Sequence, residues 1–206
     1  MTPKKGGGLL TILKSFEKPL TPEEEIHYLS LLKNENILYG DFFDEEKMRP
    51  IENVIFKFIL GNPPWGNVKQ QNYKKYCADR KVIAQNGEIC VAFLLKVQEI
   101  GDSDTECSLV IPSKILYKGK RPSIALRKML LIDTQLEQVL ELSAVRKQIF
   151  KGAIAPAAVL SFLCKKSSSN HKVEYISLKP NKYLHLFGII MIEPDDIKYV
   201  KQKLFL

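Results

Sequence analysis

Residues 54–65 read VIFKFILGNPPW, an apolar run that stops at an asparagine, two prolines and a tryptophan. Because Val54–Leu60 is apolar at nearly every position, it predicts a strand buried on both faces in the centre of a parallel sheet. The prolines lack a backbone N–H and fix φ, so they end the strand and stiffen the loop. The Asn62 side chain and the Pro63 carbonyl are adjacent hydrogen-bond acceptors, and Trp65 offers a flat aromatic face. The segment therefore predicts a rigid binding loop at the end of a strand.

The rest of the chain alternates predicted strands with predicted helices. Further strands are predicted at Ile37–Tyr39, Cys107–Ile111, Leu136–Leu142, Ala157–Cys164 and Lys172–Leu178. Helices are predicted from Thr21 to about Asn36, at Val91–Ile100, at Pro122–Ile132 and from Glu193 onwards, and the polar stretch Gly66–Gln85 predicts a loop with a short helix. This order favours a doubly wound α/β fold. The last two strands follow each other without a helix, which predicts an antiparallel edge.

The length of 206 residues suits one domain spanning residues 1–206 with a core of its own. Residues 1–20 are expected to be a flexible or atypical N-terminal segment. No run is long and apolar enough to cross a bilayer, and the N-terminus lacks the apolar stretch of a signal peptide, so a cytoplasmic location is expected. The four cysteines and three histidines are not spaced as metal ligands or as a disulfide framework, so reduced thiols and no metal are expected.

The positive charge of the chain is concentrated near the proline loop. Between Trp65 and Leu130 there are 12 Lys or Arg and 6 Asp or Glu residues, so six of the eight net positive charges lie there. This distribution favours a nucleic-acid partner, although a lysine-rich solvated surface would give the same count. The candidate contacts are Lys69, Tyr73, Lys74, Lys75, Arg80, Lys118, Lys120 and Arg121. The segment around Tyr73 and Tyr76 could equally be a mobile loop.

Three further segments occur in an order typical of one enzyme family. Gly40–Phe42 closes a predicted strand, Ser108–Ser113 combines a strand with a Pro-Ser turn, and Gln148–Phe150 precedes another strand. Together with Gly61–Gly66, they resemble the adenine-N6 DNA methyltransferases of type II restriction–modification systems, in the variant with Trp in place of the commoner Tyr. The resemblance extends from about residue 36 to residue 166.

This resemblance implies a Rossmann-like, S-adenosylmethionine-dependent methyltransferase fold, with a mixed sheet and helices on both faces. It also implies direct methyl transfer from S-adenosylmethionine to an adenine flipped out of duplex DNA. The implied site residues are Asn62, Pro63, Pro64 and Trp65 in the catalytic loop, Trp65 and Phe150 on the faces of the target base, and Asp41 and Phe42 at the adenine of the cofactor.

One motif of that family has no counterpart here. Before Asn36 the chain has no strand followed by the glycine-rich turn that binds the methionine part of the cofactor, and Gly6–Gly8 is not preceded by a strand. The N-terminal strands of the fold are therefore expected to be missing, which would expose the side of the central strands that they cover. The chain would then be a fragment or one half of a split enzyme, with a second chain supplying the cofactor motif or a target-recognition domain.

Two other functions stay open. Similar loops occur in methyltransferases that act on RNA adenine or on a protein glutamine amide, and the basic loop together with Phe150 favours a base over an amide. The missing turn also fits a non-catalytic remnant or subunit that binds DNA. Each segment has a purely structural explanation as well: a strand stopped by prolines, a turn at Asp41, and a core position for Phe150.

Overall fold

The computed structural model describes residues 21–23, 40–66, 71–82, 89–119, 121–150 and 154–205. The chain divides into two compact units, residues 1–51 and residues 52–206. The predicted N-terminal segment 1–20 lies outside the described residues, and one domain spanning the whole chain stays a prediction. In the part of the chain that the structure describes, no helix is long and apolar enough to span a bilayer.

The described residues of the smaller unit form turns and short helices. Helix α1 spans Glu45–Met48, and a 3₁₀ turn follows at Arg49–Ile51. Asp44 caps α1, because its carboxylate accepts the backbone N–H of Lys47 at 3.2 Å. Residues 22–23 are helical, and both the rest of the helix predicted from Thr21 and the strand predicted at residues 37–39 lie outside the described residues.

The larger unit is built on a six-stranded mixed sheet in the order β1-β2-β4-β3-β5-β6. The strands are β1 (Phe58–Gly61), β2 (Glu106–Pro112), β3 (Gln135–Glu141), β4 (Ala157–Leu163), β5 (Lys172–Ser177) and β6 (Ile197–Lys201). β1 is parallel to β2, and β3 is parallel to β5. β4 is antiparallel to both of its neighbours, and β6 is antiparallel to β5.

Helices connect most of these strands. They are α2 (Gln71–Asp79), α3 (Ile89–Ile100), α4 (Lys114–Tyr117), α5 (Arg121–Ile132), α6 (Arg146–Ile149) and α7 (Lys182–Phe187). The predicted helices at residues 91–100 and 122–132 are confirmed, as is the short helix predicted between residues 66 and 85. The four strands predicted after residue 100 are confirmed to within a residue at either end.

The two faces of strand β2 have different environments. Cys107, Leu109 and Ile111 are buried, whereas Ser108 and Val110 between them are partly exposed. Helix α3 packs against β2. β2 therefore buries one face against the core and leaves its other face partly open to solvent.

Strand β1 is shorter and more exposed than the sequence predicted. Val54 and Ile55 are exposed and lie outside the strand. Among the described residues β1 pairs only with β2, so it is an edge strand of the sheet instead of a central one. Phe58 is 59% exposed and Leu60 is 76% exposed. An apolar strand is buried on both sides only if a further strand and helices cover it, and the described residues supply none beyond β1. An uncovered side was expected from the missing cofactor motif.

The C-terminal region also differs from the prediction. Instead of a last helix, the capping box formed by Glu193 and Asp196 starts only a 3₁₀ turn at Pro194–Asp196. The segment Ile197–Lys201, which contains the β-branched residues Ile197 and Val200, then pairs with β5 as β6. An antiparallel edge was predicted from the two strands that became β4 and β5. Strand β4 is antiparallel but lies inside the sheet, because β2 and β3 are hydrogen-bonded to its two sides. The antiparallel edge strand is β6, which pairs with β5.

Candidate active site

The loop after β1 is held against the neighbouring strand. Pro63 is buried, and the indole Nε1–H of Trp65 donates to the Val110 carbonyl of β2 at 3.4 Å. Gly61 allows β1 to lie close to β2, because a Cβ there would come within 3.0 Å of the Leu109 side chain. Gly66, with φ of +92°, then turns the chain in a conformation that favours glycine. The prolines and these contacts leave Asn62 exposed on a fixed loop.

A second aromatic side chain reaches this loop from the other part of the sheet. Helix α6 follows β3, and Phe150 is the residue that caps its C-terminus. The backbone N–H of Phe150 donates to the Arg146 carbonyl at 2.8 Å. Phe150 and Trp65 are both half-buried, and both pack against one buried cluster made of Leu142, Val145, Ala157, Ile176 and Leu178. Aromatic residues that lie 85 positions apart in sequence therefore share one apolar support.

Asn62, Trp65 and Phe150 line one open pocket of about 500 Å³. Among the described residues, the lining consists of Asn62, Pro63, Pro64, Trp65, Val110, Phe150, Ile154 and Ala155. All five residues predicted for the catalytic loop and the base stack are thus brought together. Val110, Ile154 and Ala155 were not predicted, since an aliphatic residue at a strand end carries no local signal of a site. The pocket offers acceptor groups beside two aromatic rings.

A hydrogen-bond network lies next to the pocket and joins three strand ends. The Ser113 hydroxyl after β2 is 3.2 Å from the Ser143 hydroxyl, and the backbone N–H of Ser143 donates to the Glu141 carboxylate at 3.0 Å. The Ser143 hydroxyl also donates to Glu141. The backbone N–H of Ser113 donates to the Pro156 carbonyl at 3.1 Å, just before β4. The network therefore fixes the ends of β2 and β3 and the start of β4 relative to one another.

The guanidinium of Arg146 extends this network to the pocket wall. Its Nη1 donates to the Ser143 carbonyl at 2.5 Å, and its Nε donates to the Ile154 carbonyl at 3.3 Å. Ser143 precedes Phe150 in the chain and Ile154 follows it. The Ile154 side chain is 90% exposed at the pocket. Arg146 thus links the two ends of this segment.

The structure does not support a nucleic-acid contact for Tyr73. Its side chain is only 2% exposed, because α2 turns Tyr73, Tyr76 and Cys77 towards the core. Burial and the nearby Glu99 carboxylate raise the pKa of the Tyr76 hydroxyl, so this group stays protonated. The tyrosines of this basic stretch are core residues, and the prediction for Tyr73 is corrected accordingly.

The predicted cationic contacts fall into three groups. Lys74 and Lys75 are exposed on α2, and Lys118 is partly exposed after α4. Arg80 forms an ion pair with Glu99 and lies over the Tyr76 ring, 3.7 Å from its centroid. The remaining predictions rest on Lys69 and Lys120, which lie outside the described residues, and on Arg121, whose side chain is not described. Of the predicted cations with described side chains, Lys74 and Lys75 are therefore the two that are exposed on α2, whereas Arg80 is engaged with Glu99.

The two predicted cofactor residues lie in the smaller unit. Asp41 Oδ1 accepts the backbone N–H of Phe43 at 3.0 Å, which closes a turn. Phe42 is half-buried, with its ring 5.8 Å from that of Phe43 in an edge-on arrangement. The described residues contain no strand followed by a glycine-rich turn. They also contain no group of three or more His, Cys, Asp or Glu residues placed to hold a metal ion.

The fold and the pocket define a class of protein. The six-stranded mixed sheet, with helices between its strands and the Asn-Pro-Pro-Trp loop at the end of a parallel strand, has the Rossmann-like fold of methyltransferases. The family model "Eco57I restriction-modification methylase" matches residues 11–150, which is more than half of the chain. The chain therefore belongs to the Eco57I restriction-modification methylase family, and the predicted relation to restriction–modification methylases is confirmed.

Solved structures agree in fold. The chain is similar to the type IIG restriction endonuclease BpuSI (18% identity, TM-score 0.53, 72% of this chain and 19% of that chain). It is also similar to the M protein of the type I restriction enzyme EcoKI (17%, 0.54, 78% and 34%) and to DrdV in a DrdV–DNA complex (15%, 0.58, 92% and 22%). It thus spans between a fifth and a third of the length of these proteins. No curated protein matches the sequence.

Proposed function

We propose that this chain is the part of a restriction–modification DNA adenine-N6 methyltransferase that holds the target base. One observation carries the proposal: Asn62 and Pro63 line the same pocket as Trp65 and Phe150. Acceptors suited to an amino group therefore lie beside rings suited to the face of a base. Family membership makes methyl transfer the reaction to test first.

In the proposed reaction, Asn62 and Pro63 activate the amino nitrogen. The lone pair of an adenine amino group is delocalised into its ring, so the nitrogen is a weak nucleophile. The Asn62 Oδ1 and the Pro63 carbonyl would accept its two N–H bonds and favour a more pyramidal nitrogen whose lone pair points outwards. S-adenosylmethionine supplies the methyl group when bound. Asn62 is exposed at the pocket, which leaves its amide accessible to a base.

Trp65 and Phe150 would hold the plane of the base between them. A base can enter such a pocket only after it leaves the duplex stack, and aromatic stacking offsets part of the cost of unstacking. The openness of the pocket to solvent on one side fits a base that arrives from outside. Duplex DNA is the partner that we propose, and the exposed Lys74 and Lys75 and the partly exposed Lys118 are the candidates for contacts with its phosphates.

We further propose that Asp41 and Phe42 contact the adenine of S-adenosylmethionine. We also propose that a further polypeptide segment, which carries the glycine-rich turn, pairs with the exposed edge of β1. The exposed apolar side chains of Phe58 and Leu60 support this placement, because water-exposed apolar groups on an edge strand favour pairing with another strand. In the assembled enzyme, Leu60→Asp should release this segment in size-exclusion chromatography, and Ile154→Asp should not. Unchanged assembly of Leu60→Asp would exclude β1 as the attachment site.

Cofactor binding by the chain itself is measured by isothermal titration with S-adenosylmethionine. Micromolar affinity, about −8 kcal/mol, would mean that the 206-residue chain completes the site by itself. Absence of binding at millimolar cofactor would favour the second segment. The same result would be consistent with a DNA-binding subunit that has no catalytic activity of its own. A methylation assay of the assembled enzyme tests that alternative.

A substrate other than DNA adenine is less well supported. A glutamine amide presents the same two N–H bonds, but it has no ring to fill the space between Trp65 and Phe150. RNA adenine would fit the pocket equally well. Competition by duplex DNA, RNA and a glutamine peptide for the same pocket separates these substrates, and the strongest competitor should be a DNA with an unstacked adenine.

The direct test uses Trp65, which is the only tryptophan of the chain. The protein is titrated with a duplex that carries 2-aminopurine opposite an abasic site, so the base is already unstacked and no recognition sequence is needed. We expect quenching of Trp65 emission together with a change in 2-aminopurine emission as the base stacks. The same duplex with 2-aminopurine paired to thymine is the control. Equal responses to both duplexes, or none to either, would contradict a base-binding pocket.

A further inference from the structure

We propose that Arg146 is a positioning residue that holds Phe150 and Ile154 in place in the wall of the pocket that Trp65 also lines. The inference rests on the proposed function, since it assigns a role in binding the base to a side chain that does not touch it. Its basis is the pair of hydrogen bonds from one guanidinium to the carbonyls of Ser143 and Ile154.

The two carbonyls that Arg146 joins lie on either side of Phe150 in the chain. Ser143 is tied to the ends of β2 and β3 through Ser113 and Glu141, so this end of the link is firmly anchored. Ile154 lies at the other end and lines the pocket. The short helix α6 has only four residues, which is too little to be stable by itself. The position of Phe150 therefore depends on tertiary contacts at the two ends of its segment.

An arginine is better suited to this link than a lysine. Its planar fork directs two N–H donors at fixed angles, so Nε and Nη1 can satisfy two carbonyls that belong to different segments. A lysine carries the same charge as a point ammonium group without the fork. Substitution by lysine thus separates the two roles that Arg146 could have: holding the wall requires the fork, whereas attracting a DNA phosphate requires only the charge.

Lys147 is the matched control. It lies on the same helical turn, it is exposed, and it carries the same charge. The residues that line the pocket do not include it. Loss of charge in this region is therefore equal in Arg146→Ala and Lys147→Ala, but only the first removes the link to Ile154.

The experiment compares the full chain with Arg146→Ala, Arg146→Lys and Lys147→Ala. Without ligand, acrylamide quenching of Trp65 reports how closely the rest of the pocket wall covers the ring. With the 2-aminopurine duplex, the Trp65 and 2-aminopurine signals report base binding. We expect Arg146→Ala to raise the quenching constant and to weaken base binding about tenfold, and Arg146→Lys to behave similarly. Lys147→Ala should behave like the wild type in both assays. Thermal unfolding by circular dichroism confirms that each variant is folded.

Two results would overturn the inference. Arg146→Lys with wild-type quenching and wild-type base affinity would mean that the charge alone matters; in that case Arg146→Ala should lower the salt dependence of DNA binding by about one phosphate contact. Wild-type behaviour of Arg146→Ala in both assays would mean that Arg146 holds nothing relevant. If the wild-type chain does not respond to the base at all, the proposed function fails, yet the ligand-free quenching still decides whether Arg146 holds the wall.

Discussion

The pocket and helix α2 both carry aromatic side chains next to basic or polar residues, but only the pocket leaves them accessible. Trp65 and Phe150 are half-buried and line the cavity, whereas Tyr73 and Tyr76 are buried in the core. The sequence around the tyrosines is rich in lysine and arginine, which made a nucleic-acid surface there one of two equal possibilities beside a mobile loop. An aromatic residue is available to a ligand when the fold leaves its side chain partly exposed, and the charge of its neighbours in sequence does not decide this.

The largest expected effect is at Asn62. In the assembled enzyme, Asn62→Ala should lower the methylation rate by about 10²–10³-fold, because it removes an acceptor that acts mainly in the transition state. Asn53→Ala, an exposed asparagine outside the pocket, is the control and should keep full activity. The measurement is transfer of labelled methyl groups to DNA. Substantial activity in Asn62→Ala would mean that the pocket takes no part in catalysis. The accessible aromatic residues of the pocket would then have no more functional role than the buried tyrosines of α2.

Tyr73→Ala should act on stability and leave binding intact. Removal of a buried aromatic ring costs about 3–5 kcal/mol of unfolding free energy, and Tyr73 is among the most buried residues of α2. Urea denaturation followed by circular dichroism measures this loss. The affinity for the 2-aminopurine duplex, measured where the variant is folded, should equal that of the wild type. A loss of affinity without a loss of stability would mean that Tyr73 contacts the DNA, as the sequence had suggested.

Phe150→Ala should show the reverse pattern. Stacking on one aromatic ring contributes about 1–3 kcal/mol per base, so affinity for the unstacked base should fall roughly tenfold or more. The stability loss should be smaller than for Tyr73→Ala, because Phe150 is only half-buried. Fluorescence titration and urea denaturation measure the two quantities. Phe150→Leu, which keeps apolar contact with the cluster, should restore stability but not affinity.

The exposed cations of α2 should have a smaller effect that depends on salt. Replacing Lys74 and Lys75 together by alanine should weaken DNA binding modestly and lower the slope of log K against log salt by up to about 2 if both contact phosphates. Unfolding free energy should stay within about 0.5 kcal/mol of the wild type. An unchanged slope would show that the basic side of α2 faces solvent and that the whole helix is structural.

The smallest effect concerns the thiols of Cys164 and Cys77, which differ in burial and in pKa. The hydrogen bond from Cys107, 3.6 Å away, holds the pKa of Cys164 below its usual value, whereas burial raises the pKa of Cys77. As pH rises, Cys164 should become thiolate first, so iodoacetamide should modify it before Cys77. Cys107→Ala removes the donor and should slow the reaction of Cys164 at a given pH. Peptide mapping by mass spectrometry measures both rates, and faster labelling of Cys77 would contradict this order.

Local sequence was sufficient for most of the elements and for one half of the pocket. The helices at residues 89–100 and 121–132 follow from their apolar periodicity, and the Asn-Pro-Pro-Trp loop follows from chemistry within four adjacent residues. Prediction was weaker for the other half. Ile154 and Arg146 take part only because α6 and the start of β4 meet beside β2, and nothing in their own neighbourhoods indicates that contact.

The sequence by itself determined most of the strands and longer helices, the chemistry of the loop and the methylase family, because each can be recognised from short segments of the chain. The tertiary structure decided which side chains are buried. It placed β4 between β2 and β3, turned residues 197–201 into β6, left β1 at an edge, and brought Phe150 and Trp65 into one pocket. Burial depends on pairing between distant segments, and residues such as Tyr73 and Phe58 therefore differ from what their neighbours in sequence suggest.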